Sequence, residues 1–396
     1  MLNTYYTEKI TGLQDIEIKK IEETAEKIEI YMELNRRTHT CPNCGNETNR
    51  VHDYRNQSIR DVKCFGREVT LHLRKRRYVC SCGKRFHEEN PWLARYQRET
   101  QRTTVAILQK CAAECSYVSI AREFGISLPT VLRRADLLGY SRPSQLPKVL
   151  GIDEFRGNCG GEKFQCILTD IENRKVKDIL PTRFQNDLID YFKKYDRSSV
   201  KYFVSDMYKP YEEIAKTYFP QAVYVIDKYH WIRQATWAFE SVRKEVQKQF
   251  SKSHRIYFKH SRKLLLKRAE QLTEEQKQQV NVMLYASAKL SNAYFMKERL
   301  FRILDRAKEM ECENTDSIKK AFREWVSDAL HSEIQAFVRC GETYLRWLTP
   351  ILNSFDCPYT NGFTEGCNNK IKVIKRNAYG VHKFSRFRNR ILFSFS

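Results

Sequence analysis

Apolar and polar residues alternate in the N-terminal part of the chain. Residues 27–34 are apolar at every second position, and residues 67–74 alternate in the same way, so both stretches predict half-buried strands. Residues 99–139 have the spacing of short helices, and the Pro- and Ser-containing stretch that follows predicts a linker. We therefore expect a β segment at 1–38, a basic Cys-rich region at 39–95, a helical region at 96–140 and a linker at 141–147.

The pattern changes after the linker. Five short apolar runs predict strands, at 149–153, 164–169, 176–180, 201–206 and 222–227. The first three have short connections and predict an antiparallel meander, whereas the last two follow helical stretches and predict parallel crossovers. Residues 231–356 contain one Gly and one Pro and are rich in helix formers. We expect a first core part at 148–230, a helical insertion at 231–356, and a second core part with a basic tail at 357–396.

Composition and charge indicate a folded protein with a polyanionic partner. The chain has 396 residues, of which 41% are hydrophobic and 30% charged, so it is not of the disordered class. Lys and Arg number 70 against 48 Asp and Glu, and the net charge of +22 favours nucleic acid as the partner. The lack of a long apolar run and of a basic, apolar leader predicts no membrane partner. The 13 Cys, without a leader, predict reduced thiols in a cytoplasmic protein.

Two cysteine turns predict a metal site. Cys41 and Cys44 precede Gly45, and Cys80 and Cys82 precede Gly83, so two short turns can present thiolates to one structural Zn²⁺. The second turn is one residue shorter than is usual, which leaves the fourth ligand open, with three histidines as substitutes: His39, His52 and His87. The alternative is a set of incidental reduced thiols. A basic run between the turns suggests phosphate contacts, although such a run can be only a solvated face: Arg74, Lys75, Arg76 and Arg77.

Residues 118–134 have the pattern of a helix-turn-helix. Ala121 is small where two helices would cross, Gly125 suits the tight turn, and Ser127 can cap the second helix. Four polar residues would face a DNA groove: Ser127, Thr130, Arg133 and Arg134. The alternative is an ordinary helical hairpin.

Three acidic residues are candidates for catalysis. Asp153 and Asp206 end two strands that we expect to lie side by side, where like charges need a cation such as Mg²⁺. Glu365 stands near the start of the last clear helix, and no acidic residue follows it. It is either a metal ligand beside bound DNA or a simple capping acid. The basic residues after it are candidate DNA contacts: Lys370, Lys372, Lys375 and Arg376.

Other residues near these positions receive weaker assignments. Glu154 should point away from Asp153 on its strand and is not expected to be a ligand. Asp227 and His230 are candidates for a supporting role, with a strand terminus and a structural histidine as the alternatives. Three further acids are expected to be surface charges: Asp170, Asp178 and Asp187. The candidate contacts with DNA ends in the helical insertion are Trp231, Arg233, Trp237, Arg243 and Lys244, although Trp237 and Phe239 fit core packing better.

Several of these motifs, taken together, resemble those of a known protein family. The stretches 151–155 (GIDEF), 204–208 (VSDMY), 227–230 (DKYH) and 361–366 (NGFTEG), preceded by the cysteine turns and the helix-turn-helix, resemble the DDE transposases of ISL-type insertion sequences in order and spacing. The resemblance implies a multidomain α/β protein: an RNase-H-like mixed five-stranded sheet with a helical insertion, an N-terminal zinc-binding β region and a helix-turn-helix. It also implies that Asp153, Asp206 and Glu365 are the catalytic triad, binding two Mg²⁺ or Mn²⁺.

The function implied is metal-dependent cleavage of DNA at terminal inverted repeats, followed by strand transfer into target DNA. We expect a homodimer or larger assembly on double-stranded DNA, since two ends must be held together, and association with the bacterial nucleoid. Two other functions stay open: a non-catalytic DNA-binding regulator derived from a transposase, and an RNase-H-like nuclease or resolvase with the same metal site.

Overall fold

The computed structural model describes residues 12–90, 92–93, 97–112, 115–258, 261–310, 312, 314–378 and 381–396. The start of the expected β segment, 1–11, lies outside these residues. The chain divides into two compact units, one containing the described part of 1–139 with 377 and 378, and the other containing the described part of 140–376 and 381–396. Within the described ranges, no helix has the length and hydropathy needed to cross a membrane.

The first unit is built on a mixed sheet. Its described strands are β1 (Ile16–Glu23), β2 (Lys27–Leu34), β3 (His39–Thr40), β4 (Glu47–Thr48), β5 (Val51–Cys64), β6 (Arg67–Val79) and β7 (Arg85–His87). The sheet order is β1-β2-β6-β5, with β7 also pairing with β6, while β3 and β4 pair separately. β2 runs parallel to β6, and the other pairs are antiparallel. Because alternate side chains face one side, Met32, Leu71 and Leu73 form the core, and the predicted strand at 27–34 is confirmed.

Three short helices follow in the same unit. They are α1 (Gln101–Ala112), α2 (Tyr117–Glu123) and α3 (Leu128–Ala135). Asp61 of β5 accepts hydrogen bonds from Arg102 Nε at 2.6 Å and Thr100 Oγ1 at 2.7 Å, and so ties α1 to the sheet. α2 and α3 are joined by a turn in which Gly125 has a φ of 59°, a left-handed value that favours glycine. The helix pair that the sequence predicts is therefore present.

The second unit contains the predicted five-stranded sheet. Its strands are β8 (Val149–Phe155), β9 (Gln165–Asp170), β10 (Lys175–Leu180), β11 (Tyr202–Ser205) and β12 (Val223–Ile226). The order is β10-β9-β8-β11-β12, antiparallel in the meander and parallel from β8 to β12. Two helices precede the last two strands, α4 (Gln185–Phe192) and α5 (Lys209–Tyr218). The predicted mixed sheet is confirmed, and β8 is its central strand.

A helical segment is inserted after β12, as the sequence predicts. Its helices are α6 (Lys228–Gln249), α7 (Lys252–Tyr257), α8 (Ser261–Leu266), α9 (Glu274–Tyr285), α10 (Ala288–Glu309), α11 (Asp316–Leu330), α12 (Gln335–Arg346) and α13 (Leu348–Asp356), with a 3-10 turn at Ala269–Gln271. Its aromatic core contains Trp231, Phe322, Trp325 and Tyr344, all fully buried. The Tyr344 hydroxyl donates to the Trp231 carbonyl at 2.6 Å, so the core also anchors the first turn of α6.

Two C-terminal helices return to the sheet. They are α14 (Gly362–Ala378) and α15 (Phe384–Phe395), and their apolar faces pack on Phe155, Ile167 and Ile179.

These contacts correct the prediction that Asp170 and Asp178 are surface charges. Both side chains are buried and hydrogen-bonded. Asp178 accepts from Arg388 Nε at 2.7 Å and from the Tyr191 hydroxyl at 2.9 Å, and Asp170 accepts from Asn173. Asp187 is exposed, as predicted.

Candidate active site and zinc centre

Three aspartates lie near the carboxyl ends of three adjacent parallel strands: Asp153 is within β8, and Asp206 and Asp227 directly follow β11 and β12. The register of β8 and β11 pairs Gly151 with Val204, and two residues further along each strand it places Asp206 beside Asp153. The register of β11 and β12 likewise places Asp227 beside Asp206. Since parallel strands point their carboxyl ends to the same edge of a sheet, the three side chains form one acidic row. The neighbouring strands expected for Asp153 and Asp206 are therefore present.

The acidic row lies in a buried environment. Burial raises the pKa of Asp153 to about 6, although the Glu154 backbone N–H, which donates to Oδ1 at 2.7 Å, and nearby His230 act in the opposite direction. Burial and the charge of Asp153 raise the pKa of Asp206 to about 7. Both shifts mean that the charged carboxylates lack sufficient compensation from the protein itself. A bound cation would supply it.

The first turns of α14 are held to the sheet by three hydrogen bonds, two of which reach the acidic row. The Asn361 backbone N–H donates to Asp227 Oδ1 at 2.9 Å, and Asn368 Nδ2 donates to Asp153 Oδ2 at 2.8 Å. Between them, the hydroxyls of Thr364 and Thr169 are 2.7 Å apart. Asp227 thus places a negative charge at a helix N-terminus, where it is favourable. These contacts tie Asp227 and Asp153 to α14.

Glu365 follows Asn361 by four residues and precedes Asn368 by three, so it is a neighbour of both on the helix surface. Its side chain is exposed, and it heads an exposed face that continues through Asn369, Lys372 and Arg376. Among the described residues, the carboxylate oxygens of Asp153, Asp206 and Glu365 are not all within 4.8 Å of one another. The sulfurs of four cysteines are. Asp153 and Asp206 are therefore neighbours on adjacent strands. Glu365 is connected to Asp153 through α14, whose Asn368 donates to Asp153.

The oxygens around this row fit a divalent cation. Three buried oxygens have no hydrogen-bond partner in the described structure: Asp206 Oδ1, Asn361 Oδ1 and Asn368 Oδ1. Buried acceptors are normally paired, and hard cations such as Mg²⁺ bind carboxylate and amide oxygens. The sequence reasoning missed Asn361 and Asn368. Their signal is the helical spacing of Asn361, Thr364 and Asn368, which puts three polar residues on the face that carries apolar Ile371 and Ile374.

Glu154 is excluded from the row, as predicted. Its carboxylate forms an ion pair with Arg183 at 2.6 Å on the other face of β8. His230 packs its ring against Tyr229, with the centroids 5.6 Å apart, and is partly exposed beside Asp153.

Gly151 leaves room for the side chain of Thr169, whose hydroxyl contacts Thr364 of α14, and replacing it provides a test of this packing. A Cβ at this position would lie 2.4 Å from Thr169 Oγ1 and 2.9 Å from Ile171 Cδ1. Gly151→Ala is therefore expected to displace Thr169 and lower the free energy of unfolding by about 1–3 kcal/mol, with a loss of activity. Urea unfolding measures the change. Gly139→Ala is the control, because a Cβ there meets no atom within 4 Å, and equal stability of the two variants would contradict the packing role.

Four cysteines form a compact cluster in the first unit. Cys41 and Cys82 have their sulfurs 3.7 Å apart, and Cys44 and Cys80 have theirs 3.5 Å apart. Four thiolates about 2.3 Å from a tetrahedral zinc ion would be about 3.8 Å apart. Backbone N–H groups lower the pKa of two of the thiols, that of Cys80 to about 6, which favours the thiolate form. The fourth ligand left open by the sequence is Cys82, and among the described residues no histidine joins the cluster. The site is that of a structural zinc ion.

The basic run of β6 does not present four equivalent side chains. Arg76 is buried, with ion pairs to Glu33 at 2.6 Å and Glu88 at 3.4 Å, so its prediction as a DNA contact is wrong. Arg74 is exposed and stacks on Tyr54, with its guanidinium carbon 3.9 Å from the ring centroid.

The neighbouring cations Lys75 and Arg77 are partly exposed, and Arg77 is 3.4 Å from Asp53. Lys75 and Arg77 lie on the opposite face of β6 from Arg76. Arg74 shares the face of Arg76 and is 3.0 Å from Glu33, so packing by Glu33 and Glu88, and not alternation alone, decides that only Arg76 is buried.

The second helix of the helix-turn-helix exposes three of the four predicted residues in one row. Ser127 and Thr130 have their hydroxyls 2.9 Å apart, and Arg133 donates to Thr130 Oγ1 at 3.0 Å. Ser127 occupies the N-cap position but makes no capping hydrogen bond with its side chain, which corrects that expectation. Arg134 is mostly buried and donates to Glu99, so it supports the packing of α3 instead of facing outward.

The four predicted DNA-contacting cations of α14 differ in what their side chains contact. Lys370 donates to the Ser394 carbonyl and Lys375 to that of Arg156, whereas Lys372 and Arg376 are exposed.

In the insertion, Trp231 is fully buried and Arg243 is buried in an ion pair with Glu240, so neither can contact DNA as suggested. Phe239 is a core residue, as predicted, but Trp237 is 49% exposed, and its assignment to the core is wrong. Arg233 and Lys244 are exposed.

Comparison with known proteins gives a family match for each part of the chain. The family model for transposases of the ISL3 DDE type matches residues 150–391. The model described as the zinc-finger of transposase IS204/IS1001/IS1096/IS1165 matches residues 37–82. The chain is 28% identical over 394 residues to the transposase for insertion sequence element IS1001 of Bordetella parapertussis, covering 96% of this chain and 95% of that protein.

A second match is local and does not bear on the whole chain. It is 46% identical over 50 residues to an ATP-dependent protease of Lactococcus lactis subsp. lactis, covering 13% of this chain and 16% of that protein. The first family model alone spans more than half of the sequence and contains the acidic row, the helical insertion and α14. The chain therefore belongs to the ISL3 family of DDE transposases.

Proposed function

We propose that this transposase cuts DNA at the terminal inverted repeats of its insertion sequence and joins the cut ends to target DNA, with Asp153, Asp206 and Glu365 as its catalytic residues. The observation that carries the proposal is the acidic row, with an unpartnered Asp206 oxygen and with α14 tied to Asp153 and Asp227. A merely structural set of buried acids would be paired with cations of the protein.

The three carboxylates would hold two Mg²⁺ or Mn²⁺ ions. When bound, such ions stabilise the charge that develops on the attacking and leaving oxygens of a phosphodiester. Asp153 on the central strand, Asp206 on its neighbour and Glu365 on α14 would hold these ions. Asn368 holds one oxygen of Asp153 and thereby orients the other, and Asp227 holds the helix that carries Glu365. The same residues serve hydrolysis and strand transfer, since only the nucleophile changes.

The two units would have separate roles, one in binding DNA and one in catalysis. We propose that residues 39–139 bind the terminal repeats and that residues 148–396 carry out the chemistry. The DNA contacts proposed in the first region are those with accessible side chains: Arg74, Lys75, Arg77, Ser127, Thr130 and Arg133. On the catalytic unit, Lys372 and Arg376 follow Glu365 on one exposed face and would neutralise phosphates beside it. A homodimer or larger assembly would hold both ends.

The test uses the purified protein and the DNA flanking its reading frame on either side. With Mg²⁺ or Mn²⁺ and a supercoiled target plasmid, we expect cuts at discrete flank positions and products joined to the target. Cuts without joined products would favour a nuclease or resolvase. Binding of the flanks without any cut in either metal would favour a DNA-binding regulator and contradict the proposal.

A further inference from the structure

One face of α6 exposes aromatic and cationic side chains. Tyr229 is 51% exposed and Trp237 is 49% exposed, and Arg233 lies between them on the same face. The guanidinium carbon of Arg233 is 4.3 Å from the ring centroid of Trp237 and 5.8 Å from that of Tyr229. We call these three residues the α6 stripe. The core of the insertion does not use them, because its aromatic residues lie on the opposite face of the helix.

The α6 stripe begins at the catalytic edge and lies on a cationic surface. α6 starts directly after Asp227, so Tyr229 is in its first turn. Lys244 and Lys248 extend the exposed face toward the C-terminal end of the helix. The acids of this part of the helix are already paired: Glu240 is buried against Arg243, and Glu245 is bound by Lys289 at 2.6 Å. A polyanion can therefore approach along the face without meeting an uncompensated carboxylate.

The chemistry of the stripe favours unpaired bases over an intact duplex. An aromatic ring stacks on the flat face of a base, and within a duplex the neighbouring base pairs cover these faces. The two aromatic residues of the stripe are eight residues apart, about 12 Å along the helix axis, whereas stacked bases on one strand are about 3.4 Å apart. The stripe thus matches bases that have separated from one another. Arg233 holds the indole of Trp237 in place before DNA arrives, which lowers the entropy lost on binding.

We propose that the α6 stripe stacks on bases of a DNA strand that is unpaired next to the cleavage position, and so holds this strand at the catalytic edge. This inference rests on the proposed function, because it assigns a role to the strand that the acidic row would cut. Trp237 provides the main stacking surface, and Arg233 both orients the indole and neutralises a phosphate. The occupant is single-stranded DNA, in contrast to the duplex bound by the first unit.

The test measures stacking separately from cleavage. Duplexes with 2-aminopurine in a single-stranded overhang, and matched duplexes with the same base paired, are titrated with Asp153→Asn protein, which is expected to bind without cutting. We expect the protein to change the fluorescence of the overhang probe much more than that of the paired probe. Trp237→Ala should abolish this difference and weaken overhang binding about tenfold, whereas Trp237→Phe should retain most of it. Tyr285→Ala is the control, since Tyr285 is 95% exposed on another helix.

The outcomes separate this inference from the proposed function. If Trp237→Ala and Tyr285→Ala give the same fluorescence change as the parent protein, the inference is wrong even when wild-type protein cuts DNA. An altered oligomeric state of Trp237→Ala, with stacking retained, would assign the stripe to a protein contact and would also overturn it. Failure of wild-type protein to cut would contradict the proposed function, whereas the fluorescence result would still report on stacking.

Discussion

Asp153→Asn is expected to reduce strand cleavage by about 10³-fold or more, with little change in DNA binding. Asp153 lies on the central strand of the acidic row, and loss of its charge removes a ligand for the catalytic cations, which are worth several kcal/mol in the transition state. The fold should survive, because asparagine has nearly the same shape and can still bond to Asn368. Cleavage of radiolabelled flanking DNA measures the rate, and a filter assay with the same DNA measures binding.

The metal-free stability of this variant provides a second readout. Burial raises the pKa of Asp153, so its charged form destabilises the folded protein at neutral pH, and a neutral amide should leave the melting temperature unchanged or higher. Asp190→Asn is the matched control, because Asp190 is 72% exposed on α4. Cleavage by Asp153→Asn at a rate close to that of Asp190→Asn would refute the catalytic assignment.

Replacing Cys80 with serine is expected to remove the zinc ion and to unfold the zinc-binding region. Cys80 is buried and shares the cluster with three other thiols, so its loss leaves an incomplete tetrahedral site. Binding of structural zinc contributes on the order of 10 kcal/mol to folding, which is comparable with the whole stability of a typical domain. We expect the zinc content to fall from one ion per chain to nearly none, together with loss of specific DNA binding.

Cys64→Ser serves as the control for that experiment. Cys64 is exposed at the end of β5 and is not part of the cluster. Metal analysis by mass spectrometry and limited proteolysis should therefore give wild-type results for Cys64→Ser and rapid cleavage near residues 39–82 for Cys80→Ser. Full zinc content and protease resistance in Cys80→Ser would show that three thiolates suffice, and that the cluster is not required as described.

The elements with strong local patterns were predictable. The alternation at 27–34 corresponds to β2, and the meander and crossovers correspond to the observed order of the second sheet. These predictions succeed because side-chain period and connection length constrain pairing. The placement of Asp153 beside Asp206 followed from the same rules, since adjacent parallel strands end at one edge.

Whether an individual charged residue is buried or exposed was not predictable from local patterns. Arg76 and Arg77 are neighbours in a basic run, yet Arg76 is buried between Glu33 and Glu88 and Arg77 is partly exposed. Asp178 was assigned to the surface, but α15 covers it with Arg388. In both cases the partner is distant in sequence, so no local pattern contains the information.

By itself, the sequence of this protein determined the order of its elements, the two cysteine turns, and the strands that end in Asp153 and Asp206. Those features depend on residue type and short-range spacing, which the chain carries before it folds. Only the tertiary structure decided that Cys82 completes the cluster, that Asn361 and Asn368 face the acidic row, and that Trp237 is exposed. The physical reason is that these contacts join segments far apart in the chain, where packing and burial decide which side chain meets which.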